Sequence, residues 1–388
     1  MINKFIIPCV FFFSFIPYVS PLPISSDTQP IFVIFIMILF VISPNFRKIK
    51  KTEIPFLILA LLAIFYINPE YPSFTIKKSS SLLIAFLSYH FFSLHRNKLT
   101  QKFLFFIVLL NFIVLIINFV SPSVYSQLFG PFLQAVRSHS DMKGPRGASG
   151  LAPEPGFIGA LSVFYIMATI IISKKENNKK YKYLIIILSV IMITLTKSGT
   201  GLLLLVLFTL LYNIKLNLLR LLYGLILTLL IFNISKNLNL GRASYLLENV
   251  IIQPEVILKG DASVGSRYIG ILVGTTSFLE SPFGNGNNSY ERVAVDIIKK
   301  NNIFRGIEGG IGKSSSYGRL MVELGLFFVI FLFCLIYFSM NKSKWRYSTS
   351  FIVIATTFIM ASFSITFPPI WYLFSHFHNP SKEWSVHK

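Results

Sequence analysis

Negative charge and cysteine are what this chain has least of. Its 388 residues include 15 Asp and Glu against 36 Lys and Arg, and only two cysteines. Cys9 and Cys334 both lie inside apolar runs, so neither a disulfide framework nor a cysteine-based metal site is available. The H-E-x-x-H pair, the P-loop and the Rossmann glycine fingerprint are all missing, which removes zinc proteases, P-loop NTPases and dinucleotide enzymes. No segment repeats, and no inverted pair of broken helices marks a secondary transporter. Charged residues make up 13% of the chain, where soluble domains carry ~25%. A water-facing globule is excluded on that ground.

What fills the sequence instead is apolar: 54% hydrophobic and 15% aromatic, with 40 Phe. The expectation is an all-α polytopic membrane protein, because a chain in lipid must satisfy its backbone within its own helices. A spanning helix needs ~20 mostly apolar residues. About eleven segments (ten to twelve) qualify: 4–20, 29–43, 54–68, 79–95, 102–121, 155–173, 183–197, 199–214, 217–235, 317–340 and 349–367. The shorter ones rely on flanking residues or a thin membrane. A half-segment at 369–378 follows Pro368-Pro369 and reads as a short helix or a re-entrant piece. The first segment has the look of a signal peptide, yet Pro17, Pro21 and Pro23 crowd the cleavage region; it is read as a membrane helix.

The net charge of +21 invites a nucleic-acid reading, which the distribution of charge excludes. Basic residues sit in short links: Arg47 to Lys51, Arg96 to Lys102, Lys174 to Lys182, Lys215 to Arg220, and Lys342 to Arg346. With eleven spans these links fall on one side, the cytoplasm by the positive-inside rule. The whole chain, 1–388, is then one integral membrane domain, with long outer loops at 122–154 and 236–316. Those loops hold Asp141, Glu154, Glu248, Glu255, Asp261, Glu280, Glu291, Asp296 and Glu308, most of the acidic side chains. Loops of that length are functional or disordered, and the helix-like piece at 264–280 marks the second as folded.

Charges at a membrane boundary point to a charged, lipid-linked substrate. Arg146 and Glu154 flank Gly147-Ala148-Ser149-Gly150-Leu151-Ala152-Pro153 at the outer mouth of the sixth span. Arginine offers a planar fork for phosphate oxygens, and flanking prolines fix the direction of Glu154. The pair either clamps a phosphate and deprotonates a sugar hydroxyl, or caps the helix that follows. Arg267, after a candidate cap at Asp261 or Ser263, either completes a helix-terminal anion site or snorkels at the interface. Lys197 sits in an outer turn with Ser198, Gly199 and Gly201, against the positive-inside trend; it is a substrate cation or a solvated turn residue. Asn285 and Asn287, in Gly284-Asn285-Gly286-Asn287-Asn288, suit sugar hydroxyls or only turn chemistry. Glu323 lies inside the tenth span, where a carboxylate is costly and usually functional; Arg319, four residues earlier on the same face, is its candidate ion-pair partner. Arg137, His139 and Arg305 are weaker loop candidates.

Four places, in this order, resemble the O-antigen polymerase and O-antigen ligase superfamily of bacterial envelope polysaccharide enzymes. They are Arg146-Gly147-x-x-Gly150 with Glu154-Pro155-Gly156-x-x-Gly159; Leu195-Thr196-Lys197-Ser198-Gly199-Thr200-Gly201; Ser266-Arg267 with Ser281-Pro282-Phe283-Gly284-Asn285-Gly286; and Glu323-x-Gly325. With the hydropathy profile they cover about residues 80–370. The resemblance implies a GT-C-like glycosyltransferase acting on sugar chains carried by undecaprenyl pyrophosphate. It assigns pyrophosphate binding to Arg146 and Arg267. Where ligases carry a histidine ahead of Glu-x-Gly, this chain has Ser314, which favours polymerase over ligase. Many relatives have arginine after the serine of the second motif, where this chain has Gly199; Lys197 is the substitute cation.

The expected activity is polymerisation of lipid-linked repeat units into O-antigen, capsular or exopolysaccharide at the outer face of the inner membrane. Glu154 is the expected base and Glu323 the second choice; Arg146, Arg267, Lys197, Arg319, Asn285 and Asn287 bind substrate. No cofactor and no metal are expected. Partners are the lipid-linked oligosaccharide, the lipid bilayer and, through the resemblance, a chain-length regulator and a flippase. The rivals are a ligase on the same fold, a lipid-linked oligosaccharide flippase or other transporter, and a membrane scaffold. A transporter would carry polar residues along the middles of several spans, whereas here they gather at the outer ends.

Overall fold

Helix ends in this protein follow local chemistry. The computed structural model describes residues 2–19, 31–65, 72–133, 147–176, 178–213, 262–300, 316–340 and 363–378. In chain order the helices are α1 (Ile2–Phe15), α2 (Ile31–Ile42), α3 (Ile54–Phe65), α4 (Pro72–His95), α5 (Gln101–Val120), α6 (Pro122–Phe129), α7 (Pro155–Ser173), α8 (Lys179–Leu195), α9 (Gly199–Asn213), α10 (Ala262–Glu280), α11 (Tyr290–Lys300), α12 (Ser316–Leu324), α13 (Leu326–Met340) and α14 (Pro368–His378). Among the described residues there is no strand, only an isolated bridge between Val19 and Leu133. The fold is all-α. The expected span at 217–235, most of that at 349–367, and the loop stretches 134–146, 236–261 and 301–315 lie outside the described residues.

Two units divide the chain: Met1–Ser43 with His95–Glu248, and Pro44–Leu94 with Asn249–Lys388. In the first unit α7 is the centre. It is apolar all round and buried along most of its length, as a helix enclosed by others must be. The helices α5, α8 and α9 pack on it, and α1 packs on α2. Thr100 caps α5, its hydroxyl accepting from the Phe103 N–H at 3.2 Å. The Glu176 carboxylate accepts from the Gln101 N–H at 2.8 Å, a negative charge at the positive end of a helix. Burial follows Gln101, Leu104, Val108, Asn111, Leu115 and Asn118 along α5, a spacing of three and four that makes one face.

The second unit has two packing centres. Phe56 of α3 stacks on Tyr89 of α4 and meets Phe331 of α13 and Trp371 of α14 edge-on. Trp371 donates its indole N–H to the Ile365 carbonyl at 2.8 Å, so a fully buried polar tip is satisfied. The other centre joins Ile269 and Val273 of α10 to Tyr290, Ala294, Ile297 and Ile298 of α11 and Val322 of α12. Where α10 crosses α12, a Cβ on Gly318 would run into the Gly270 carbonyl, so the backbones touch. Small residues permit that close approach.

A polar cluster pins the link before α3 to the end of α4. Glu53 accepts from the Lys50 N–H at 2.8 Å and from Ser93, and meets His90 Nδ1 at 2.7 Å. His90 Nε2 meets the Phe46 carbonyl, and Lys50 Nζ reaches the Ser93 carbonyl at 2.9 Å. Burial pushes the Glu53 carboxyl up, but His90, the Lys50 N–H and the Ser93 hydroxyl outweigh it and hold the group below its ordinary value.

Among the described residues two helices, α5 and α7, are long and apolar enough to cross a membrane. The tenth expected span, 317–340, is corrected: it is two helices, broken at Gly325, whose φ is +51°. The Leu326 N–H donates to the Pro282 carbonyl at 2.7 Å, and a side chain at Gly325 would collide with that same oxygen. The half-segment after Pro368 is a short helix, α14.

Candidate functional site

In the first unit the loop 147–154 lies on the turn between α8 and α9. The Ala148 N–H donates to the Leu195 carbonyl at 3.3 Å, and a Cβ on Gly147 would occupy the space of Leu195 and Thr196 backbone. Asn118, at the end of α5, seats the loop: its Oδ1 accepts from the Ser149 N–H at 2.7 Å and the Gly150 N–H at 3.2 Å. Tyr125 of α6 donates its hydroxyl to the Gly150 carbonyl. Burial pushes that phenol up to about 12, against a lowering by its hydrogen bond with Ser149, so it is a hydrogen-bond donor across the physiological range.

Glu154 then takes the N-cap position of α7 in an extended conformation, with φ −140° and ψ 150°, and Pro155 opens the helix. Its carboxylate makes no capping bond, although it stands at the helix end that favours a negative charge. Its partner in the capping reading, Arg146, lies outside the described residues. Lys197 adopts φ 46°, the left-handed region that side chains avoid and functional sites often tolerate. The next residue, Ser198, caps α9 by accepting from the Gly201 N–H at 3.0 Å. A Cβ on Gly201 would stand 2.7 Å from the Gly159 backbone, and one on Gly159 would stand 2.7 Å from Ser198 Cβ. Gly201, read from the sequence as part of the turn, is thus a helix-crossing contact. The first two motifs interlock along their length.

In the second unit the third and fourth motifs do the same. The Asn285 N–H donates to the Val322 carbonyl at 2.8 Å, and the Gly286 N–H to the Glu323 carbonyl at 3.2 Å. These bonds satisfy carbonyls at the C-terminal end of α12 that its own helix leaves open. Gly284 and Gly286 hold φ +89° and +84°, and a Cβ on Gly284 would strike the Glu323 backbone. Asn285 donates its side-chain amide to Ser277 Oγ at 2.9 Å and to the Val322 carbonyl at 3.3 Å, so it ties the loop to α10 and α12. Asn287 is fully buried.

Glu323 is buried, and its Oε1 accepts from the Asn288 N–H at 3.2 Å. It stands in the last turn of α12, just ahead of the break at Gly325. Arg319 directs its guanidinium to the ring of Tyr290, 5.9 Å from the centroid. Arg267 is half-buried in the second turn of α10. That helix begins at Ala262, so Ser263 is inside it and is not its cap.

Arg146, Arg137, His139, Arg305, Asp261 and Ser314 lie outside the described residues. Asn118 and Tyr125 were not singled out from the sequence. The available signal was an amide at 111 and another at 118 on the buried stripe of an apolar helix, where each needs a partner. No family model matches this chain, and no curated protein or solved structure matches it.

Proposed function

We propose that the chain is a membrane-embedded glycosyltransferase that polymerises undecaprenyl-pyrophosphate-linked oligosaccharide repeat units at the outer face of the bacterial inner membrane. About eleven spans in a GT-C-like arrangement would carry it, with a flippase supplying repeat units and a chain-length regulator beside it. The observation that supports this reading is the pairwise interlocking of the four motifs. Gly147 and Gly159 meet the 195–201 turn, and Gly284 meets Glu323. Four weak patterns scattered by chance have no reason to meet backbone to backbone. The membrane setting is supported by α5 and α7, which are long and apolar enough to span a bilayer.

In the reaction the bond between the donor sugar C1 and the pyrophosphate oxygen breaks. The acceptor hydroxyl oxygen bonds to C1, its proton goes to a base, and undecaprenyl pyrophosphate departs with the electron pair. Two tasks fall to the protein: neutralising the departing pyrophosphate and accepting the proton. Arg146 and Arg267 serve the first, with Lys197 and Arg319 as further cations. Glu154 serves the second, because it stands at the start of a helix between two prolines that fix its direction. Glu323 is the weaker choice, because a loop N–H engages it. Asn285 and Asn287 shape that loop, and the substrate's sugars meet them through it.

The test is deletion in the host, with surface glycan run on a gel, and complementation by wild type, Arg146→Ala and Glu154→Gln. Loss of the ladder to a single repeat, rescued by wild type and by neither variant, is expected. Polymer accumulating on the lipid carrier would mean ligase instead. An unchanged glycan profile on deletion would overturn the reading.

A further inference from the structure

Within the second unit, two neighbouring helices expose opposite kinds of surface. The outer face of α11 carries Glu291, Arg292, Asp296, Lys299 and Lys300, all exposed. The outer face of α10 carries Tyr268, Ile271, Thr275 and Leu279 and continues into Phe283; Leu279 is 75% exposed and Phe283 64%. The spacing of three and four keeps these on one side of the helix, while Ile269, Gly270, Val273, Gly274 and Ser277 are buried on the other. The polar group on the apolar face is satisfied internally: Thr275 donates its hydroxyl to the Ile271 carbonyl at 2.9 Å. Contiguous apolar surface without a charge marks a candidate contact with a membrane or a partner.

We infer that α10 is an interfacial helix that lies on the bilayer, with Tyr268, Ile271, Leu279 and Phe283 in the headgroup and upper acyl region of anionic phospholipid. The inference rests on the membrane reading above. Its ends argue for lying on the bilayer rather than crossing it. Arg267 stands at one end, and at the other Glu280 pairs with Lys300 at 2.7 Å, both exposed. The uncharged stretch between them, 268–279, is about 18 Å long at 1.5 Å per residue, against a ~30 Å hydrocarbon core. Charge complementarity argues for lipid rather than a protein partner: Arg267, beside an amphipathic tyrosine, meets a phosphate layer, as in helices that bind anionic membranes. The consequence for the proposed reaction is that Arg267 is held at the depth where a lipid-borne pyrophosphate lies.

The experiment uses the full chain in nanodiscs containing anionic phospholipid, in a Cys9→Ser, Cys334→Ser background. An environment-sensitive fluorophore is placed at Leu279→Cys, Ile271→Cys, Asp296→Cys and Ile113→Cys in turn. Lipids brominated near the headgroup, lipids brominated at the chain end, and aqueous iodide are the quenchers. The expected result is severalfold stronger quenching of the 271 and 279 labels by shallow bromine than by iodide, with the reverse at 296. Labels at 271 and 279 quenched by iodide like that at 296 would overturn the inference, as would quenching by chain-end bromine, which means a span. Ile113 is exposed on α5. If its label is quenched by chain-end bromine while 271 and 279 are not quenched by lipid, the inference alone fails. If no position is quenched by lipid, the membrane reading fails with it.

Discussion

The two interlocked loops solve the same problem with different materials. In the first unit the loop 147–154 is seated by side chains, an amide from Asn118 and a phenol from Tyr125. In the second, the loop after α10 is seated mainly backbone to backbone, on α12 through Asn285 and Gly286 and on the start of α13 through Leu326. The carboxylates differ accordingly. Glu154 opens a helix and caps nothing; Glu323 closes one, buried, and accepts from the loop it holds. A helix dipole favours the first charge and opposes the second. The same motif-level pattern, a glutamate near glycines, thus describes one residue at the start of a helix and one buried at the end of another.

The comparison is broken most directly at the glycines. Gly318→Ala puts a methyl into the Gly270 carbonyl. The cost is expected to be about 3 kcal/mol or more, since backbone must move rather than a side chain; thermal melting of the purified chain reads it. Exchanging the carboxylates for amides sharpens the contrast. Glu154→Gln is expected to leave the melting temperature in place while lowering polymer formation ~10²-fold or more, the contribution of a general base. Glu323→Gln is expected to lower stability by ~1–3 kcal/mol, the penalty for a disturbed buried hydrogen bond, with activity falling only as folded protein falls. Equal effects of both on turnover would dissolve the distinction.

Smaller effects separate the seats. Asn118→Ala leaves two backbone N–H groups without their acceptor and should cost ~1–3 kcal/mol, and Tyr125→Phe ~1 kcal/mol, both read by melting. The first seat titrates through Tyr125. The Tyr125 phenol, ordinarily near 10, is raised to about 12 in the folded chain. Between those values the folded state holds the proton that the unfolded state has released, so stability falls as pH rises. Tyr125→Phe should flatten that alkaline loss, measured as the melting temperature from pH 9 to 12 by comparison with wild type.

Much of the helical layout was legible because apolar runs of this density permit little else. The start of α7 was marked by Pro155, and the 195–201 turn by its glycines. The break at Gly325 was hidden, because Leu326–Met340 continues the apolar run without a polar signal; the loop that forces the break is some forty residues earlier in the chain. Asn118 was hidden for the opposite reason. Its role depends on a loop thirty residues later, and an amide on an apolar helix names no partner. The candidate residues themselves were visible as motifs, but not that the motifs meet in pairs, since contact between backbones at glycine leaves no side chain to read.

The polar pin between Glu53 and His90 has a consequence for how the chain is made. Its unit is discontinuous: Pro44–Leu94 is synthesised first, and its packing partners lie in Asn249–Lys388. The early piece must wait on the ribosome for more than a hundred residues, and contacts of such long sequence separation form slowly. Glu53, His90, Ser93, Lys50 and Phe46 all belong to that early piece, and they satisfy one another. A nascent hairpin whose polar side chains satisfy one another can remain intact until the rest of its unit arrives, and its aromatic pair, Phe56 on Tyr89, then meets Trp371.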